Sequence, residues 1–237
     1  MSVQIINLQH EGSPLSGQLY RPDTQGPHAA VLIMPTAVGI SDHELLQARR
    51  LVAAGYVALV ADMYGGGIHH VDPKTAGENF VGLLNAPTKL RARVVAWFEL
   101  LRSEPDVNAQ RIAAIGYCFG GKCVLELARS GADIKAAVSF HGLLSTSMPA
   151  APDVIKGEVA IYTGSKDPYA PREDVDAIRK ELSAAKARWH ITEFGEVAHA
   201  FTEPGASSYG KQGVAYDEIA ARTSWAGTLA LLDAVIG

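Results

Sequence analysis

Two hydrophobic periods alternate along most of this chain. AAVLIM, YVALVA, RIAAIG, KAAVSF and EVAIYT are short, continuous apolar runs, of strand length and rich in β-branched residues. Between and after them come helix-length amphipathic segments: DHELLQARRLVAAG, a long one starting near Pro87, FGGKCVLELARSG, one near 173 to 186, and a closing one near 214 to 235. RWHITEF supplies a further strand before the last of these. Fully apolar strands separated by helices predict an α/β fold, with a mostly parallel sheet covered on both faces. The first residues differ, because VQIINL and LSGQLY alternate around the turn signals EGSP and predict a hairpin or edge ribbon.

Helix punctuation agrees with the periodicity. Ser41 or Asp42 can cap one N-terminus, and Gly55 and Gly131 follow helical runs where a left-handed residue is wanted. Between Asp62 and Thr88 the pattern is interrupted by MYGGGIHHVDPKTAGENFVGLLNA. Its tail, TAGENFVGLL, predicts a short helix. An insertion at a strand's carboxyl end in an open α/β sheet is a candidate lid or pocket wall, and Tyr64 within it is a candidate substrate contact. No repeat, low-complexity tract or dividing linker is evident, so residues 1–237 read as one domain.

Composition narrows the class. With 237 residues, 48% hydrophobic and 19% charged, the chain can bury a large core. A net charge of -4 with scattered basic residues offers no basic face for nucleic-acid phosphates. No basic-then-apolar leader opens the chain, and no apolar run approaches the roughly 20 residues needed to cross a bilayer. A cytoplasmic protein with no membrane or nucleic-acid partner is the expectation; oligomeric state is not readable. The two cysteines, Cys118 and Cys123, lie roughly 140° apart around one predicted helix, which argues for free thiols.

The stretch I-G-Y-C-F-G-G-K-C, residues 115 to 123, lies at a strand-to-helix junction. As a phosphate loop, G-x-x-x-x-G-K ends on Cys123, a soft sulfur where Mg²⁺ wants a hard hydroxyl oxygen. A dinucleotide fingerprint needs glycine where Cys118 stands. Read as G-x-C-x-G, each residue has a physical reason: a sharp strand-to-helix turn leaves no room for side chains at Gly116 and Gly120. Cys118 would project at a helix N-terminus, whose positive end favours a thiolate, and the Phe119 N–H would face a developing oxyanion. The plain alternative is a buried structural cysteine.

A thiol nucleophile needs a histidine base, and that histidine needs an acceptor to hold its tautomer. EVAIYTG runs into S-K-D-P, placing Asp167 just past a strand's carboxyl end. RWHITEF runs into G-E-V-A-H-A-F, placing His199 equivalently one strand later. The order nucleophile, acid, histidine is that of an α/β-hydrolase sheet. Asp153, Asp174 and Asp176 read as surface charges, His10 and His28 as exposed, His43 as a first-turn helix residue and His190 as a strand residue. With His69 and His70 in the insertion, none of these spacings makes a metal cage; no cofactor is expected. His141 directly follows KAAVSF and reads equally as a substrate contact, a support or packing.

These motifs resemble the dienelactone hydrolases of the α/β-hydrolase superfamily, through G-Y-C-F-G-G, G-S-K-D-P and A-H-A-F over nearly the whole chain. The resemblance implies a Cys118–His199–Asp167 triad. It also implies an oxyanion hole from the Phe119 and Ala37 amides, the latter in the loop M-P-T-A-V-G. It further implies hydrolysis of a small ester or lactone through a covalent thioester, with no cofactor. Family members that open dienelactones carry a glutamate where Thr36 stands and an arginine where Glu203 stands, so an acidic dienelactone is not the expected substrate. A non-catalytic or redox-sensing thiol protein on the same fold is the alternative.

Overall fold

The computed structural model describes residues 1–67, 69–70 and 72–237. The alternating N-terminal runs form an antiparallel hairpin, β1 (Ser2–His10) and β2 (Ser13–Arg21), closed by Glu11 and Gly12 at positive φ. The apolar runs form β3 (His28–Met34), β4 (Val57–Val60), β5 (Val107–Tyr117), β6 (Ala136–Phe140), β7 (Glu158–Gly164) and β8 (Arg188–Phe194). All eight strands join one sheet in the order β1-β2-β4-β3-β5-β6-β7-β8, antiparallel at β1/β2 and β2/β4 and parallel elsewhere. From β3 the chain steps outward to β4, then returns across β3 to β5. That reversal opens a crevice beyond the carboxyl ends of β3 and β5, where ligands bind in open α/β sheets.

Helices cover both faces, as continuous apolar strands require. One face packs α1 (Asp42–Ala53) and α6 (Glu218–Ile236) through Leu51, Val52, Trp225 and Leu232. The other packs α3 (Pro87–Ser103), α4 (Phe119–Arg129) and α5 (Arg172–Ala184) through Trp97, Phe98, Leu127 and Ile178. The predicted short helix of the insertion is α2 (Pro73–Leu84), started by the Asp72 side chain accepting from Thr75 N at 2.9 Å. Ser41 and Glu44 form a reciprocal capping box on α1. Gly55 and Gly131 have φ of 92° and 83°, the left-handed residues expected after helices.

The closing helix starts later than its hydrophobicity suggests. Asp217 caps it by accepting from Ala220 N at 2.8 Å, while the Gly213 carbonyl and the Ala215 amide bond to the backbone of His199. α6, 19 residues long, has an 18-residue window of mean hydropathy 1.2, the length of a bilayer crossing; here it is a layer helix, with Ala220, Ser224, Trp225, Thr228, Leu232 and Ile236 buried. His10 and His28 are half-buried rather than exposed.

α4 carries Cys118 at its N-terminal cap and is moored by a buried ion network. Glu126 accepts from Arg91 at 2.6 Å and from Arg129 at 3.0 Å, and Arg129 also pairs with Glu181 at 2.8 Å. These bonds tie α4 to α3 and α5. Removing one member of a buried charge network strands the others away from water. Glu126→Ala is expected to cost about 3 kcal/mol of folding stability, read as a lowered urea midpoint; a shift within error of wild type would show that the network contributes nothing.

Candidate active site

The strand β5 ends at the thiol. Cys118 is the cap of α4 at φ 53°, ψ -114°, in a region that side chains rarely occupy, and such strain persists where surrounding structure over-determines it. Two glycines allow the turn: a Cβ at Gly116 would overlap the Gly120 carbonyl, and one at Gly120 would overlap the Met34 and Pro35 carbonyls. The G-x-C-x-G spacing is thus a steric requirement, and it presses the elbow against the loop after β3. Phe119 opens α4, so its N–H has no acceptor within the helix. Cys123 is fully buried, and both thiols are free.

The loop after β3 is a tight turn closed by Gly39 N–H donating to Thr36 O at 3.1 Å, with Ala37 inside it. The insertion pins this turn, since Gly39 pairs with His69 and His70 N–H donates to Val38 O at 2.7 Å. Asp62 folds the insertion's first residues by accepting from the amides of Ser16, Tyr64, Gly65 and Gly67 at 2.8–3.0 Å. Tyr64 then stacks on Phe119 with ring centroids 5.9 Å apart, so the insertion does form a wall of the crevice. Burial and then the nearby charges of Cys123, Cys118 and Asp62 push the Tyr64 phenol up.

Asp167 and His199 meet across the ends of β7 and β8. His199 Nδ1 lies 2.8 Å from Asp167 Oδ2, and Asp167 Oδ1 accepts from Tyr169 N at 2.8 Å. Their loops are stitched together by Lys166 N–H donating to Val197 O at 2.9 Å. Tyr169 packs edge-on to the His199 ring at 4.7 Å. Burial pulls the His199 imidazole toward neutrality. The negative charge at Cys118, hydrogen bonds to Asp167 and Cys118, and the charge of Asp167 outweigh it and push its pKa up to about 10. The thiol therefore acts on the protonation of the imidazole.

His141 lies behind this group rather than at its opening. It is fully buried, its ring is 5.0 Å from that of His199, and Nε2 lies 2.8 Å from Thr202 Oγ1. Burial and then the neighbouring imidazoles of His199 and His43 push its pKa well below the usual range, so a neutral ring packs against the loop that carries His199 and Thr202. Thr36 is buried and lines an open cavity.

Sequence reasoning passed over Glu44. Its carboxylate is fully buried and accepts from Thr36 N at 3.1 Å, Ser41 N at 2.9 Å and Ser41 Oγ at 2.6 Å. Burial pushes its pKa up, against the pull of those bonds. A carboxylate thus sits beneath the loop that lacks a glutamate at Thr36. The S-x-x-E of the capping box was the available signal. Among the described residues no group of three or more histidine, cysteine or acidic side chains is placed to hold a metal ion.

Residues 15–236 match the sequence profile of the dienelactone hydrolase family. The solved structure m3DLH is 35% identical, with a TM-score of 0.93 over 100% of this chain and 99% of that one. A dienelactone hydrolase-like promiscuous phosphotriesterase from metagenomic libraries is 32% identical, with the same score and coverage. A Salmonella typhi protein provisionally named a carboxymethylenebutenolidase is 26% identical over 242 residues, covering 95% of this chain and 84% of its own. The profile match over residues 15–236, with an eight-stranded, mostly parallel sheet matched end to end by the two solved structures, places the chain in the dienelactone hydrolase family of α/β-hydrolases.

Proposed function

We propose that this protein hydrolyses small carboxylic esters or lactones by nucleophilic catalysis at Cys118, through a covalent thioester. The observation that carries the reading is the buried His199–Asp167 pair at 2.8 Å, beside a thiol that helps to raise the imidazole's pKa. The Cys118 thiol gives its proton to His199 as the sulfur attacks the carbonyl carbon, and the carbonyl electron pair moves to oxygen. The Phe119 and Ala37 amides are the donors for that oxyanion, one at a helix start and one in the turn against the elbow. Collapse expels the alkoxide, which takes the proton from His199 and leaves as the alcohol. Neutral His199 then removes a proton from water attacking the thioester, and the acid is released with thiol and imidazole restored. Asp167 holds the Nδ1–H tautomer throughout.

Intact-mass measurement with a short activated ester tests this reading. An acyl adduct on Cys118 that forms and then clears is expected. An adduct that never clears, or none at all, would favour a non-catalytic or redox-sensing thiol. The resemblance to a promiscuous phosphotriesterase makes an activated phosphotriester the second probe, with Cys118 again the atom modified.

A further inference from the structure

Beside the Thr36 turn lies a cavity of about 560 Å³, lined by the loop after β3, the first turns of α1, the insertion and the segment that follows His199. Its charged lining is one-sided: Glu203 and Asp42 face it, and among the described residues no lysine or arginine does. Glu203 follows His199 by four residues and is held by its own backbone, its N–H donating to Ala200 O at 3.0 Å and its carbonyl accepting from Ala206 N at 2.9 Å. Tyr209 O–H donates to Oε2 at 3.3 Å, and among the described residues no donor reaches Oε1. Thr36, also lining it, adjoins the Ala37 amide. The cavity adjoins the reacting group without including it: Cys118, Phe119 and His199 do not line it, but Thr36 precedes Ala37 and Glu203 is bonded to Ala200, the residue after His199.

We infer that this cavity is the specificity pocket of the hydrolase and that Glu203 makes it select esters bearing a cationic, ammonium-type group while excluding those bearing a carboxylate. The inference rests on the ester-hydrolase reading above and names its substrate class. A cation placed beside Oε1 is attracted by a carboxylate that has only one protein donor and no basic partner, whereas an anion there would meet Glu203 with no basic residue to offset it. Buried Glu44 reinforces the sign of the field from behind Thr36. Other groups facing the pocket are Asp42 and His43 from α1, His69 from the insertion and Tyr209 from the turn Ala206–Tyr209; burial and then Arg50 push His43 down to about 4, so it is uncharged.

The preference carries a pH signature. Burial and then the charge of Glu44 push Glu203 up to about 7, against the Tyr209 hydrogen bond and the charge of His199. Its charge is therefore mostly absent at pH 6 and mostly present at pH 8. Titration of His199 alters both substrates of a matched pair alike and cancels in their ratio.

The test compares kcat/KM for shape-matched short esters ending in a trimethylammonium, a tert-butyl or a carboxylate group, placed on the acyl or on the alcohol side. The cationic ester is expected to be preferred over its tert-butyl isostere by about tenfold at pH 8, the scale of one partly screened charge–charge contact without a hydrogen bond. That preference should shrink toward pH 6 and vanish in Glu203→Gln at both pH values, while Glu203→Asp keeps part of it. Equal rates for the two esters at pH 8, a preference that survives Glu203→Gln, or preference for the carboxylate would each overturn it. Calorimetric titration with choline against its tert-butyl isostere reads the same site without turnover: tighter choline binding that Glu203→Gln removes supports the pocket even if no ester is hydrolysed, and equal binding of the two overturns it. The ester-hydrolase reading fails separately, by absence of turnover of the neutral ester or by turnover that Cys118→Ala leaves intact.

Discussion

Cys118→Ala is expected to remove hydrolysis of a short activated ester by about ten-thousandfold or more, the scale on which loss of a nucleophile acts when oxyanion donors and binding remain. The substitution takes away one sulfur and leaves the elbow's geometry to Gly116, Gly120 and the Met34 carbonyl that fix it. Alanine at φ 53° is strained much as cysteine is, so folding stability should stay within about 1 kcal/mol of wild type. The two readouts together are decisive. Matching denaturation curves with activity lost locate the chemistry at the sulfur, whereas activity within tenfold of wild type would end the thioester mechanism. His199 offers a second check: with the charge of Cys118 gone, its pKa should fall from about 10, visible in the imidazole NMR titration.

Asp167→Asn should lower kcat by about a thousandfold to ten-thousandfold, for a reason legible in the hydrogen bonds. Asp167 accepts twice, from Tyr169 N through Oδ1 and from His199 Nδ1 through Oδ2, each at 2.8 Å. Asparagine has one acceptor oxygen and one NH₂. The Tyr169 amide, fixed by the backbone, claims the oxygen, which turns the NH₂ toward His199. Nδ1 must then accept rather than donate, so the single ring proton moves to the nitrogen that faces Cys118. An imidazole in that tautomer cannot take a proton from the thiol. The pKa of His199 should also fall, because Asp167's hydrogen bond and charge help to raise it. The pH–rate profile should accordingly move to lower pH, and an unchanged profile at wild-type rate would remove Asp167 from the mechanism.

The same network explains why part of the site could be read without coordinates. Gly116, Cys118 and Gly120 are within five residues of one another, and the crowding that forbids a Cβ at either glycine is a local property of a strand-to-helix turn. Asp167 and His199 are far apart in sequence, yet each directly follows an apolar strand run, and parallel strands of one sheet bring their carboxyl ends to one edge. Once period and punctuation define β7 and β8, the meeting of their following loops is nearly a topological consequence. The helix caps at Ser41, Gly55 and Gly131 were readable for the same reason, being settled by backbone groups a few residues away.

Short-range sterics and the period of burial settle, from the chain alone, the strands and helices, the parallel sheet, the thiol elbow and the loops that carry Asp167 and His199. Distances between non-neighbouring elements were left to the tertiary structure. His141 follows a strand as Asp167 and His199 do, but only packing decided that its ring lies buried behind His199. Glu44 reads as a helix-capping acid until the fold lays it under Thr36. Glu203, four residues past the histidine, becomes the one-sided charge of a cavity only because α1 and the insertion close around it. Arg91, Glu126, Arg129 and Glu181 come from three helices whose mutual approach fixes which charges pair. Hydrophobic periodicity states which face of an element is buried, but not which side chain of another element it meets, and electrostatics depends on that meeting because charge interactions vary with separation and local dielectric.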